Sequence, residues 1–254
     1  MYFNKMKSNT TYKLSKIKDN KFILHHHLGL GDHIICNGMI NYLTNYYNEI
    51  YIPVKEKNFD NIKYLYKDKK SVIPFSIKRL NAETEKREID EFSKKNNLEI
   101  LKVGFDKISK PFNLGFYKQV GIPYSYSFDY FSLQNNFKAQ KLLSESMKKH
   151  FNIKNDYTLI HNESSMGDLD LDLDLDFKPI YIKKELDPYK NIFLYRDLIE
   201  NAKEIHCIDS SFLHLVERLK TNSKLFFHNA KKIGVKGEKV ELLKDWNVVE
   251  YYVE

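Results

Sequence analysis

Cysteine is nearly absent from this 254-residue chain, and its two cysteines, Cys36 and Cys207, sit far apart inside apolar runs. Two such residues build neither a disulfide framework nor a metal cluster, and they fit a reducing compartment. No run of about 18 apolar residues occurs, which excludes a spanning helix. The first stretch, up to Asn20, is polar and lysine-rich and lacks the apolar core of a signal peptide. A soluble, cytoplasmic protein is therefore expected. There is no basic arm, zinc-finger spacing or RNA-binding aromatic signature, so nucleic acid is not an expected partner. Internal repeats of roughly 20–50 residues are missing as well. Alanine, glycine and proline are scarce, with 9 glycines and 6 prolines, while lysine, asparagine, isoleucine and tyrosine abound. Genome nucleotide composition imposes such a bias, and no function is read from it.

What is present points to a packed, folded chain. Hydrophobic residues make up 42% and charged residues 30%, enough for a core and too apolar for global disorder. The 17 Phe and 18 Tyr bury much area with few residues. The length suits one large domain or two small ones of roughly 100–150 residues each. Net charge is +7, from 41 basic and 34 acidic residues. That balance favours anionic partners such as nucleotide phosphates, acidic glycans or, as a peripheral contact, a membrane surface. The lysines are scattered, however, as on any solvated surface.

Periodicity divides the chain into alternating strands and helices. Lys21–His27 is a short, mostly apolar run stopped by Leu28-Gly-Leu-Gly31. From His33 the spacing turns helical, with Cys36, Met39, Ile40, Leu43 and Tyr47 on one face. Glu49–Val54, Ser71–Ile77 and Leu98–Val103 read as further strands, and residues 58–68 and 82–96 as helices. Gly104–Tyr130 holds Pro111, Gly115, Gly121 and Pro123 around one expected aromatic-rich helix, and would connect two halves. After a helix over residues 137–150, a second series follows. It has strands at Tyr157–Asn162, Ile180–Lys184, Glu204–Ile208 and Lys224–His228, with helices at 191–202 and Phe212–Lys220. Trp246–Val253 has no assigned state. Such alternation implies parallel strands joined by right-handed crossovers, an α/β chain with two Rossmann-like domains. The expected division is a polar arm over residues 1–20, a first domain over 21–130 and a second over 131–254. The low-complexity run Asp168–Asp176 alternates aspartate with leucine. It lacks the turn glycine of a calcium loop and reads as an expanded surface loop.

Three polar segments follow strands, where open α/β sheets collect ligands. The first is Leu28-Gly-Leu-Gly-Asp-His33. Its glycines, Gly29 and Gly31, permit a sharp turn against a ligand, and the helix behind offers unpaired N–H groups. A dinucleotide fingerprint fails here, because Ile34 stands at the third glycine position. Asp32 has two compatible readings, a helix cap and a proton acceptor. The second segment is Asp209-Ser-Ser-Phe-Leu-His-Leu215, in which Ser210 and Ser211 at a helix N-terminus fit a diphosphate. His214 lies one turn in, either as a ligand contact or as a packed core histidine. The third is His161-Asn-Glu-Ser-Ser165. There Ser164 and Ser165 suit phosphate and Glu163 a sugar or ribose hydroxyl, with a plain loop as the equal alternative. His25, His26 and His27 are split by strand alternation and make a poor metal site.

Taken together, these segments resemble the B-type glycosyltransferases, specifically the heptosyltransferase-like family (ADP-heptose:lipopolysaccharide heptosyltransferases). Gly31-Asp32 matches the family's Gly-Asp pair at the opening helix. Asp209-Ser210-Ser211-Phe212-Leu213-His214-Leu215 matches its second-domain signature, with Ser211 in place of glycine. The likeness spans roughly residues 22–228 in order and spacing. It implies two Rossmann-like domains facing a cleft, the first for an acceptor and the second for a donor. The implied reaction moves a hexosyl or heptosyl group from a nucleotide-diphosphate sugar to a hydroxyl of a glycan or glycolipid, with inversion. By the same resemblance no metal or other cofactor is needed and Asp32 is the general base. Ser164, Ser165, Asp209, Ser210, Ser211 and His214 would hold the donor diphosphate. Gly29, Gly31, His33, His161, Asn162 and Glu163 would line the cleft. The His161–Ser165 loop carries no lysine, unlike some relatives. A divergent member, or a binding protein that kept the fold without activity, is the alternative.

Overall fold

The computed structural model describes Leu14, Ile17 and residues 19–78, 80–105, 111–164, 167–232 and 240–253. The chain divides into two compact units, one of Met1–Gln134 with Glu238–Glu241, the other of Asn135–Gly237 with Leu242–Glu254.

The first unit is built on a parallel sheet of β1 (Lys21–His25), β2 (Glu49–Lys55), β3 (Val72–Ile77) and β4 (Glu99–Lys102), in the order β3-β2-β1-β4. Strand β1 lies inside the sheet with residues Phe22–His25 all buried, which explains its unbroken apolar run. Helices α1 (Leu30–Leu43), α2 (Phe59–Leu65) and α3 (Ala82–Asn96) connect the strands. Helix α3 starts where Asn81 accepts a hydrogen bond from the Thr84 N–H (2.9 Å) and ends at Asn97 in the left-handed region. Its Ile89 joins Ile23, Leu28, Ile77 and Leu98 in the core, while Phe92 stacks on Phe75 with centroids 3.8 Å apart.

Beyond β4 the single helix expected from the aromatic pattern is instead two, α4 (Phe112–Lys118) and α5 (Tyr126–Asp129), separated by Gly121 at φ +68° and by Pro123. Both pack on α1. The Tyr117 hydroxyl accepts from the Met39 N–H (3.1 Å) and donates to the Ile35 carbonyl (2.7 Å), bridging an i, i+4 pair of α1. A Cβ on Gly38 would lie 2.0 Å from the Tyr126 carbonyl oxygen, so only glycine lets α5 come this close.

The second unit opens with α6 (Phe137–His150). Its five-stranded parallel sheet contains β5 (Thr158–His161), β8 (Pro179–Tyr181), β9 (Glu204–Ile208), β10 (Lys224–Lys232) and β11 (Trp246–Val253), in the order β11-β10-β9-β5-β8. Between β5 and β8 lies a two-residue antiparallel pair, β6 (Glu163–Ser164) with β7 (Gly167–Asp168). Residues 169–176 carry no regular structure; their leucines are half-buried and their aspartates exposed. The stretch read as one helix over 191–202 is a 3-10 turn, Ile192–Tyr195, whose start Asn191 caps at the Phe193 N–H (3.0 Å), followed by α7 (Arg196–Asn201). Helix α8 (Ser211–Arg218) buries Phe212–Arg218.

The unassigned C-terminal segment becomes β11, parallel to β10 from Leu225–Trp246 to Lys232–Val253. Buried Glu217 explains its docking, since its carboxylate accepts from the Leu243 N–H (2.6 Å), the Lys244 N–H (3.2 Å) and the Trp246 indole (2.6 Å). Lys244 in turn donates to the Val216 and Leu219 carbonyls at the end of α8, where a cation is favoured.

Candidate functional site

In an open parallel sheet, ligands gather beyond the carboxyl ends of strands where the strand order reverses. The second unit runs 2-1-3-4-5 in its own strand order, so its switch point lies between β5 and β9. The structure brings two of the predicted loops together there. Ser210, at the end of β9, places its Oγ 3.2 Å from His161 Nδ1 at the end of β5. The His161 ring stacks on Phe212 in α8 (4.8 Å, 9°). Burial first, and then the charges of Lys184 and Lys183, lower the His161 pKa to about 4, so the ring is neutral near pH 7. Ser210 is the N-cap of α8, accepting weakly from the Leu213 N–H (3.5 Å), and Ser211 is the first helical residue. Both serines are half-buried and Asp209 is exposed, so this turn presents polar groups at its surface. His214 is buried one turn deeper, and its pKa falls to about 3 through burial and the neighbouring Arg218.

The third predicted loop is more occupied than its sequence suggests. Glu163 is only 9% exposed, pairing with Lys183 Nζ (3.3 Å) and accepting from the Lys184 N–H (3.3 Å). Asn162 donates to the Leu169 carbonyl (2.8 Å), and its buried Oδ1 has no hydrogen-bond partner among the described residues. Ser164 lies on β6, and Ser165 falls outside the described residues. Lys183 and Lys184 were not among the expected site residues. They stand just past β8, which neighbours β5, and the rule that ligands collect at strand ends was the signal that could have found them.

In the first unit the corresponding switch point lies between β1 and β4, where the Gly29–His33 turn sits. Gly29 is the N-cap of α1 at φ −71°, and Gly31 is within its first turn, so neither needs the sharp backbone turn expected of it. The left-handed glycine here is Gly104 after β4, at φ +83°, where a Cβ would meet the Phe116 ring at 2.0 Å. Gly29 instead donates its N–H to Asp32 Oδ2 (3.0 Å), and a Cβ there would lie 2.6 Å from that oxygen, so a larger residue would make the Asp32 side chain shift. Asp32 is half-buried at the third helical position, where a carboxylate also suits the helix dipole.

His33, expected to line a cleft, is fully buried on the core side of α1, and neither ring nitrogen has a hydrogen-bond partner among the described residues. It packs edge-on against buried His26 (4.3 Å), and burial, His26 and Lys55 push its pKa well down. His25 turns the other way, with Nε2 3.0 Å from Glu85 Oε1. His27 is exposed against Phe105 and Phe116.

Comparison with known proteins reaches the chain through its fold. No family model matches the sequence, and no curated protein matches it. Among solved structures, it is similar to a glycosyl transferase family 9 protein from Veillonella parvula. The two superimpose with a TM-score of 0.57 over 96% of this chain and 87% of that one, at 9% identity. The protein therefore has an α/β fold of two parallel sheets like that of a B-type glycosyltransferase. Among the described residues, no helix is long and apolar enough to cross a membrane.

Proposed function

We propose that this protein is a glycosyltransferase that moves a sugar from a nucleotide-diphosphate donor to a hydroxyl of a glycan or glycolipid acceptor. The observation that carries the reading is the His161–Ser210 contact at the switch point of the second sheet, in a fold shared with a glycosyl transferase family 9 protein. Ser210, Ser211 and the first N–H groups of α8 suit the leaving diphosphate, whose charge grows as the glycosidic bond breaks. Ser164, Ser165, Asp209 and His214 complete the donor side in this reading. Asp32, in the first unit, takes the proton from the acceptor hydroxyl as its oxygen attacks the anomeric carbon. The bond from that carbon to the phosphate oxygen breaks, the nucleoside diphosphate leaves with the electron pair, and the anomeric centre inverts. Transfer proceeds in this scheme without a divalent metal, and donor binding that survives chelation of metals is expected.

Asp32→Asn is the decisive variant. Asn can still accept from the Gly29 N–H, so the helix start survives, but its amide is no base. Transfer should fall about 100-fold or more, while nucleotide-diphosphate sugars still raise the melting temperature. Unchanged turnover would remove Asp32 from the mechanism. A second reading, a nucleotide- or carbohydrate-binding protein without activity, draws on the capping role that already engages Asp32 Oδ2. It predicts the same thermal shifts with neither transfer nor donor hydrolysis against any acceptor.

A further inference from the structure

The two lysines past β8 carry an inference that rests on reading the second unit as the donor side. Lys183 holds two carboxylates, and they are not equivalent. Glu163 is nearly buried and both of its oxygens are engaged, one by the Lys183 ammonium (3.3 Å) and one by the Lys184 N–H (3.3 Å). It is a fixed part of the loop. Asp168 reaches the same ammonium at 3.4 Å, but its side chain is 61% exposed and it belongs to a strand only two residues long. An ion pair so open to solvent is screened and weakly held. The ammonium has three donors, and one of its two carboxylate partners is thus readily exchanged.

The place of this ammonium decides what would replace Asp168. The Ile182 N–H donates to the Ile160 carbonyl (2.8 Å), so the chain entering Lys183 runs beside the end of β5. Lys183 reaches Glu163, two residues beyond His161, whose Nδ1 meets Ser210 at the start of α8. The loop His161–Ser165 has no lysine of its own, and Lys183 from beyond the adjoining strand β8 reaches it at Glu163. We infer that Lys183 is the cationic arm of a diphosphate site at the carboxyl ends of β5, β8 and β9, and that Asp168 is an internal anion that the diphosphate displaces. With two carboxylates around one ammonium, the anion enters by exchange rather than addition. A diphosphate, with more charge and more oxygens than one carboxylate, is the class of anion suited to win that exchange.

Calorimetric titration of the full chain with inorganic pyrophosphate tests this. Asp168→Asn, at an exposed position, should bind pyrophosphate several-fold more tightly than the unaltered chain. Lys183→Met should weaken binding about ten-fold or more, and Lys183→Arg should keep most of it. If Lys183→Met fails to fold because Glu163 loses its partner, the Asp168→Asn and Lys183→Arg arms still decide. The inference is overturned if the unaltered chain does not bind pyrophosphate, if Asp168→Asn binds no more tightly, or if Lys183→Met binds equally well. The same variants titrated with nucleotide-diphosphate sugars separate it from the proposed function. Sugar-nucleotide binding indifferent to Lys183 and Asp168 would sink the inference alone. Lys183-dependent pyrophosphate binding with no sugar-nucleotide binding would uphold the anion site and sink the glycosyltransferase reading.

Discussion

Each unit carries a strand, a polar turn and a helix at its switch point, but the two use the polar groups of that turn differently. At the β1–α1 turn of the first unit most are engaged within the fold. Asp32 caps the Gly29 N–H, His25 is bonded to Glu85, and His26 and His33 are buried against each other. At the β9–α8 turn of the second unit Asp209 is exposed, and Ser210 and Ser211 stay half-exposed. The lesson is that a glycine-rich turn need not be a ligand cradle. Gly29 binds a carboxylate of its own turn, whereas in the turn without glycine Ser210 reaches across to His161 on the neighbouring strand and Ser211 stays half-exposed.

The largest expected effect treats the units alike. The pKa values of His161, His206 and His228 drop to about 4, and those of His26 and His214 to about 3, each mainly through burial. A histidine whose folded pKa lies below its unfolded value of about 6.5 favours the fold fully above that pH. Its contribution is lost as pH falls from there through the folded value. Chemical unfolding midpoints measured between pH 7.5 and 4 should therefore drop steeply below about pH 6.5. His25 and His33 are lowered by burial as well, so three such histidines lie in the first unit and four in the second. Hydrogen exchange should show both units opening together on acidification, and opening of one alone would break the likeness.

Next in size is Gly38→Ala in the first unit. The added methyl would meet backbone atoms, the Tyr126 carbonyl at 2.0 Å and Ser127 Cα at 2.9 Å, which cannot rotate aside. A loss of roughly 1–3 kcal/mol in urea melts is expected. A smaller loss would mean that α5 is free to slide on α1.

The turns themselves can be compared directly by alanine. Asp32→Ala removes the carboxylate bound to Gly29 and should cost about 1 kcal/mol. Ser210→Ala removes a longer, weaker cap (3.5 Å) and the contact to His161, and should cost about 0.5 kcal/mol. Ser210→Ala should instead be the more damaging of the two for nucleotide-sugar binding, read by thermal shift. Equal stability costs would erase the distinction between a turn built for the fold and one built for a ligand.

Much of the scaffold could be read from short-range pattern. The apolar run after Lys21, the charged amphipathic span Ala82–Asn96 and the capped start at Ser210 each depend on residues close in the chain. The misreadings have a common origin. One aromatic stretch became α4 and α5 because both dock on α1, and Tyr117 reaches backbone atoms 78 and 82 residues away in sequence. The C-terminal strand stayed unassigned because its anchor, Glu217, lies 29 residues before Trp246 and has no local mark.

By itself the sequence determined the alternation of strands and helices, the parallel class of both sheets and the polar character of the strand ends. These follow from periodicity and turn chemistry among neighbours in the chain. Only the tertiary structure decided which of those groups meet. It placed Ser210 on His161, Lys183 on Glu163 and Asp168, and Glu85 on His25. Strand order and register set these distant pairings, and no local pattern encodes which strand will lie beside which.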